Sequence, residues 1–213
     1  MTLGEIKQKV RMIGLHHFGS KQDLDPFGLE YLVLESANQI ARKTDCLFGR
    51  RYLDLEEDVD EYCSPDMYRI RGVFKLEDNE YKRLRLLDFA DRQVDRYRTQ
   101  GNAVIDACIL YATNRLRFLP TPESNVTNGV MIEGYCQPGM IWQYDTNGNA
   151  VPLADDQECP LPESAHDCLV YSVLYSRAMQ MKDANVLALY KSEYLDRLGM
   201  VESNSAIYGR RTV

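Results

Sequence analysis

The sequence predicts an α+β protein, predominantly α, with a helical bundle formed by N- and C-terminal helices, a small antiparallel β insertion and an extended C-terminal tail. Three observations predict it. Apolar residues recur every three or four positions near both ends of the chain. Between Arg51 and about Gly139 the period falls to two, with turn-forming residues between the runs. The last fourteen residues, MVESNSAIYGRRTV, are polar and carry few apolar anchors, the composition of a segment ordered by binding. The 213 residues, 45% of them hydrophobic, are enough to bury a core without staples. The expected organisation is a helical core over 1–50 and 160–199, a β-rich insertion with a short helix over 51–159, and a C-terminal extension over 200–213.

Each element has its own reason. Thr2 and Glu5 make a capping-box pattern, and Leu3, Ile6, Val10 and Ile13 follow at helical spacing, with Gly14 expected to end the first helix. Asp25-Pro26 offers an N-cap and a proline at the first helical position; Leu29, Leu32, Val33, Ala37, Ile40 and Ala41 then draw one stripe to about Thr44. Glu30, Glu35, Arg42 and Lys43 fall off that stripe and are expected in water. Strands are expected at 68–76, 80–87, 107–112, 115–120 and 129–135, with turns at Glu77-Asp78-Asn79, Thr113-Asn114 and Asn128-Gly129, and a short helix from Asp88 to about Arg98. After the spacer CPLP, Glu163 to Met181 is apolar nearly all round, as a central buried helix would be. Asp183 to Leu198 is amphipathic, with Leu187, Tyr190, Tyr194 and Leu198 on one face, a Glu193/Arg197 pair opposite, and Gly199 as C-cap.

Acidic residues outnumber basic ones by 32 to 25, a formal net charge of -7, which argues against wholesale capture of nucleic acid. The six cysteines form no C-x-x-C and read as reduced, packed thiols. No segment approaches the roughly 20 apolar residues of a membrane span, and the N-terminal residues lack a long apolar run, so synthesis and use from the cytoplasm are expected. No P-loop, G-x-G-x-x-G, G-x-S-x-G or H-E-x-x-H motif occurs. A carboxylate pair for glycoside hydrolysis stays open, because an acidic chain always contains candidates.

Three clusters could carry function. In CPLPESAHDCLVYSVLYSRAM, His166 and Cys168 are two apart, so on a helix they point about 200° away from each other and cannot pair; with Cys159 they supply too few ligands for structural zinc. Packing is expected, with Ser164 capping the helix. The acidic run Asp54, Glu56, Glu57, Asp58, Asp60, Glu61 lacks the turn glycine and terminal glutamate of an EF-hand loop and reads as a solvated loop or a wall that keeps DNA from sticking. From Arg69 to Arg98 nine basic residues face six acidic ones. Arg69 and Arg71 share one face of a strand, as do Arg83 and Arg85, so a positive ladder is available to an acidic partner or a phosphate backbone if the register aligns them.

The order LESANQIARKTDCL (34–47), YCSPDMYRIRGVF (62–74), LRFLPTPESNVTNGVMIEGYCQP (116–138), CPLPESAHDCLVYSVLYSRAM and ALYKSEYLDRLG (188–199) resembles the head-to-tail adaptor proteins of short-tailed bacteriophages, over roughly residues 25–199. The resemblance implies a structural virion protein: a ring, twelve-fold, beneath the portal protein, joined to tail or nozzle proteins, with DNA passing through the lumen unread. It also implies no cofactor; from the residues themselves no metal, no catalytic residues and no membrane are expected. Under it, Ile207, Tyr208, Arg210 and Arg211 are expected to meet the portal, and Arg69, Arg71, Arg83 and Arg85 a neighbouring subunit or tail protein. The alternatives are a phage-tail-associated cell-wall hydrolase using a carboxylate pair and a cytoplasmic protein-binding module.

Overall fold

The computed structural model describes residues 1–18, 26–64, 67–88, 105–112, 114–138, 143–144, 150–151 and 154–209. Among the described residues helix makes up 46% and strand 32%, so the fold is α+β with the two in comparable measure, and the expected predominance of helix is not found. The chain divides into one unit of Met1–Leu47 with Pro138–Val213 and a second of Phe48–Gln137.

The first unit holds α1 (Leu3–Phe18), α2 (Pro26–Thr44), α3 (Glu163–Met181) and α4 (Ala184–Gly209). One apolar core runs through all four, from Leu3 and Ile6 through Val33 and Ile40 to Leu169, Val173, Tyr190 and Val201. The capping box closes as expected: Thr2 N–H donates to Glu5 Oε2 at 2.9 Å, and Glu5 N–H to Thr2 Oγ1 at 3.2 Å. Gly14 does not stop α1. The helix continues to Phe18, which is buried and lies 5.8 Å from the Tyr190 ring, a burial worth more than the roughly 1 kcal/mol that a mid-helix glycine costs.

Two further departures have the same origin. Glu30, expected in water, is 3% exposed because Lys7 of α1 reaches it at 2.8 Å. Gly199, expected as a C-cap, is interior to α4; Val201 beyond it is fully buried, and the hydroxyls of Ser203 and Ser205 bond back to the carbonyls of Gly199 and Val201. The extended tail is thus helical as far as Gly209, and 210–213 lie outside the described residues. Asp183 caps α4, its Oδ1 accepting the N–H groups of Asn185 and Val186. At α3 the N-cap is Pro162, with no side-chain cap bond, so the expected Ser164 cap is not used. The proline ring fixes φ at a value that a cap residue adopts, and with Pro162 as cap the helix starts two residues too early for Ser164. A short antiparallel pair, β9 (Gln143–Tyr144) with β10 (Ala150–Val151), completes this unit.

The second unit contains two four-stranded sheets. The first has the order β1 (Phe48–Leu55), β8 (Val126–Cys136), β3 (Met67–Glu77), β4 (Glu80–Arg83), with antiparallel neighbours throughout. The second has the order β2 (Glu61–Cys63), β7 (Arg115–Leu119), β6 (Ala107–Ala112), β5 (Arg85–Asp88). β5 runs parallel to β6, so this sheet is mixed rather than antiparallel; the connection from 89 to 106 is long enough for the crossover that parallel pairing requires. The short helix expected at 88–98 falls almost wholly outside the described residues.

The turn at Asp78-Asn79 forms as expected, with positive φ at both residues, the backbone of a two-residue hairpin. Asn128-Gly129 makes no turn. It is a bulge inside β8 opposite Leu53 and Leu55, where Asn128 has φ 50° and its N–H donates to Asp54 Oδ1 at 2.6 Å. The expected single strand 80–87 is two, split at Leu84, which is buried and bonds Val73 O. Asn114 is followed at once by β7, while Thr113 lies outside the described residues.

Candidate interaction surface

β3 carries two irregularities against β8, one between Met67 and Arg69 and one between Ile70 and Gly72. They bring Arg69 and Arg71 to the same ring: their guanidinium carbons sit 4.6 and 5.4 Å from the centroid of Tyr135 on β8. Both arginines are exposed. Tyr135 in turn stacks with Tyr68 at 6.2 Å and meets Phe48 of β1 edge-on at 5.6 Å. Phe48 is 47% exposed, a large apolar side chain left at the surface beside two cations. Stacking on an aromatic face holds each guanidinium plane and is worth about 0.5–1 kcal/mol per exposed contact.

Close packing makes this platform possible. A Cβ at Gly134 would lie 2.4 Å from Arg69 O, so only glycine lets β3 approach β8 at the point where Arg69 turns onto Tyr135. Along the same face of β1, Arg50 pairs with Glu133 at 2.7 Å, and Tyr52 lies 5.7 Å from Tyr81 of β4.

The four arginines singled out in the sequence do not form one ladder. Arg83 stays with the first pair, its guanidinium donating to Arg71 O at 3.4 Å. Arg85 is on β5, in the other sheet, because the chain changes sheets at Leu84. Ile207 and Tyr208 are in the last turn of α4, and Arg210 and Arg211 lie outside the described residues. What sequence reasoning missed was the aromatic half of the platform. The alternation Phe48, Arg50, Tyr52 in FGRRYLDL was the available signal for β1.

The other two clusters have structural employment. His166 is buried; its Nε2 donates to Leu161 O at 2.9 Å, which leaves Nδ1 to accept from the Met1 amino group at 3.2 Å. Burial pushes the Cys168 thiol up to about 12 and raises that of Cys159, so neither is a ready thiolate. None of the six cysteines is in a disulfide. The acidic run is divided among local partners: Asp54 accepts from Asn128, and Asp60 and Glu61 both pair with Arg117. The hydrogen bond from Tyr111, with Arg117 beside it, holds the Glu61 carboxyl below its usual range. Glu56, Glu57 and Asp58 remain exposed at the β1–β2 turn. Among the described residues no group of three or more His, Cys, Asp or Glu is placed to hold a metal ion, and no helix is long and apolar enough to cross a membrane.

No curated protein matches the sequence. The family described as "SU10 adaptor protein" matches residues 1–213, the entire chain. That match agrees with the resemblance read from the sequence: the chain belongs to the SU10 adaptor protein family and has the character of a phage structural adaptor.

Proposed function

We propose that this protein is the head-to-tail adaptor of a short-tailed phage, a ring of copies, twelve-fold, that sits beneath the portal, joins it to tail proteins and passes DNA without reading it. The observation that carries the proposal is the family match over all 213 residues. In this reading the four helices form the bundle that gives the ring its body. The C-terminal end, with Ile207, Tyr208, Arg210 and Arg211, meets the portal. The sheet face with Arg69, Arg71 and Arg83 meets a neighbouring subunit or a tail protein, and Arg85 contributes from the second sheet. A chain of net charge -7 suits a lumen, because phosphates bound to the wall would stall the genome.

The test is co-sedimentation of the purified chain with the portal protein of the same phage, read by mass. The full chain should add about twelve copies per portal ring, a stoichiometry taken from the resemblance, and deletion of 206–213 should abolish the addition while the far-ultraviolet circular dichroism holds. The deletion starts at 206 because Val201 belongs to the core. Docking unchanged by that deletion would refute the portal role of the C-terminal residues, and no portal binding by the full chain would refute the adaptor reading.

A further inference from the structure

α4 packs on α3 and α2 along one side and leaves the other side to solvent. That outward side carries three large apolar side chains, Leu189, Leu195 and Met200, which are 45%, 50% and 66% exposed. Ser203 on the same side makes no demand on a partner, because its hydroxyl bonds back to Gly199 O at 2.8 Å. Exposed apolar side chains gathered on one helix face mark an interaction surface, and the pattern of that face decides what it can receive.

The pattern fits the same face turned end for end. Ala188, Lys191, Leu195, Gly199 and Glu202 are all exposed and follow at steps of three and four, so they form one seam along α4. Lys191 and Glu202 are its two charged members, about three turns or about 16 Å apart on the helix axis, and neither has an ion pair among the described residues. When a second copy lies antiparallel across the seam, about a two-fold axis near Arg197, Lys191 of each copy faces Glu202 of the other. The same axis brings Leu195 of each copy over Gly199 of the other, where a Cβ would meet nothing within 4 Å and the leucine finds open space. One pairing of charge and one of shape thus share a single axis, the self-complementarity that an isologous contact requires. A parallel, in-register pairing would instead set lysine beside lysine and glutamate beside glutamate.

We infer that α4 is the interface of a two-fold, antiparallel dimer of this chain, held by Lys191 against Glu202 at both ends and by Leu195 against Gly199 at the centre. A ring around one axis is built from heterologous contacts, so this dimer is a state of the chain apart from any ring, and the inference does not rest on the adaptor reading. The experiment is sedimentation velocity of the full chain over a concentration series, with circular dichroism to verify folding. The wild type should show a monomer–dimer equilibrium. Lys191→Glu and Glu202→Lys should each weaken it about tenfold, because either change brings like charges together at both ends. The chain carrying both changes should dimerise as the wild type does. An equal mixture of the two single variants should form a heterodimer, since glutamate then faces lysine at each end. Leu195→Glu should weaken dimerisation at least as much while the circular dichroism holds, because Leu195 lies outside the core.

A wild type that is monomeric at every concentration overturns the inference, and so does failure of either rescue. If the wild type stays monomeric and Leu195→Glu no longer adds to portal rings, the face belongs to the portal and the dimer is refuted. Addition of the wild type to portal rings tests the adaptor reading separately, whichever way dimerisation falls.

Discussion

Lys7→Met is expected to destabilise the helical unit strongly. Lys7 Nζ lies 2.8 Å from Glu30 Oε1 and 2.9 Å from Asp155 Oδ1, and the side chains of Lys7 and Glu30 are only 7% and 4% exposed. Removing one partner of a buried pair strands the other charge, at a cost of about 3–5 kcal/mol. Glu30 Oε2 already has no hydrogen-bond partner, so little is left to solvate the carboxylate once Lys7 is gone. Asp155 is 75% exposed and lets water near, which favours the lower end, about 3 kcal/mol. For a chain of this size that is a fall in Tm of about 6–12 °C. The assay is thermal unfolding by circular dichroism at pH 7.

The double variant Lys7→Met/Glu30→Leu should recover to within about 1 kcal/mol of the wild type, because apolar replacement removes both desolvation penalties. Burial alone would lower the Lys7 pKa, but its hydrogen bonds to Glu30 and Asp155 outweigh that and leave it raised. A raised lysine contributes stability in full below its unfolded value near 10.4 and loses it as pH climbs through the folded value. Stability of the wild type should therefore fall more steeply above about pH 10 than that of the double variant. A loss under about 1 kcal/mol for Lys7→Met, or a double variant as damaged as the single, would refute the assignment of this pair as a buried ion pair.

Two glycines should respond oppositely to alanine in urea unfolding. Gly134→Ala, whose Cβ would meet Arg69 O at 2.4 Å, should cost about 1–3 kcal/mol, whereas Gly199→Ala, with nothing within 4 Å, should gain about 0.5–1 kcal/mol as a helix-interior replacement; equal effects would deny the close approach of β3 and β8. In native alkylation followed by peptide mass mapping, exposed Cys63 should react first, while Cys108 and Cys168, whose thiols burial raises to about 12, should react only on unfolding. Labelling of Cys108 at the rate of Cys63 would contradict that burial.

Where local chemistry was enough, the sequence was a sound guide. α3 has the bounds Glu163–Met181 read from its continuous apolar character, the Thr2/Glu5 box closes, and Asp78-Asn79 turns a hairpin with the positive φ that those residue types tolerate. Errors arose where a residue had two competing uses. Asn128-Gly129 has the composition of a turn, but its strand continues between β1 and β3 and uses it as a bulge. Gly14 and Gly199 resemble stops, but Phe18 and Val201 find core beyond them. Glu30 lies off the apolar stripe of its own helix, and only the arrival of Lys7 from α1 explains its burial.

By itself the sequence determined the α+β class, the periodic elements at both ends, the family resemblance and the concentration of arginine between 69 and 98. Those are properties of composition and near-neighbour spacing, which the chain carries before it folds. Tertiary structure alone decided which of the arginines act together. Register, two irregularities in β3 and the change of sheet at Leu84 gather Arg69 and Arg71 on Tyr135, bring Arg83 to the backbone of Arg71 and send Arg85 elsewhere. The reason is physical: a one-residue slip reverses every side chain on a strand, and the energy that fixes register comes from cross-strand packing between segments some sixty residues apart.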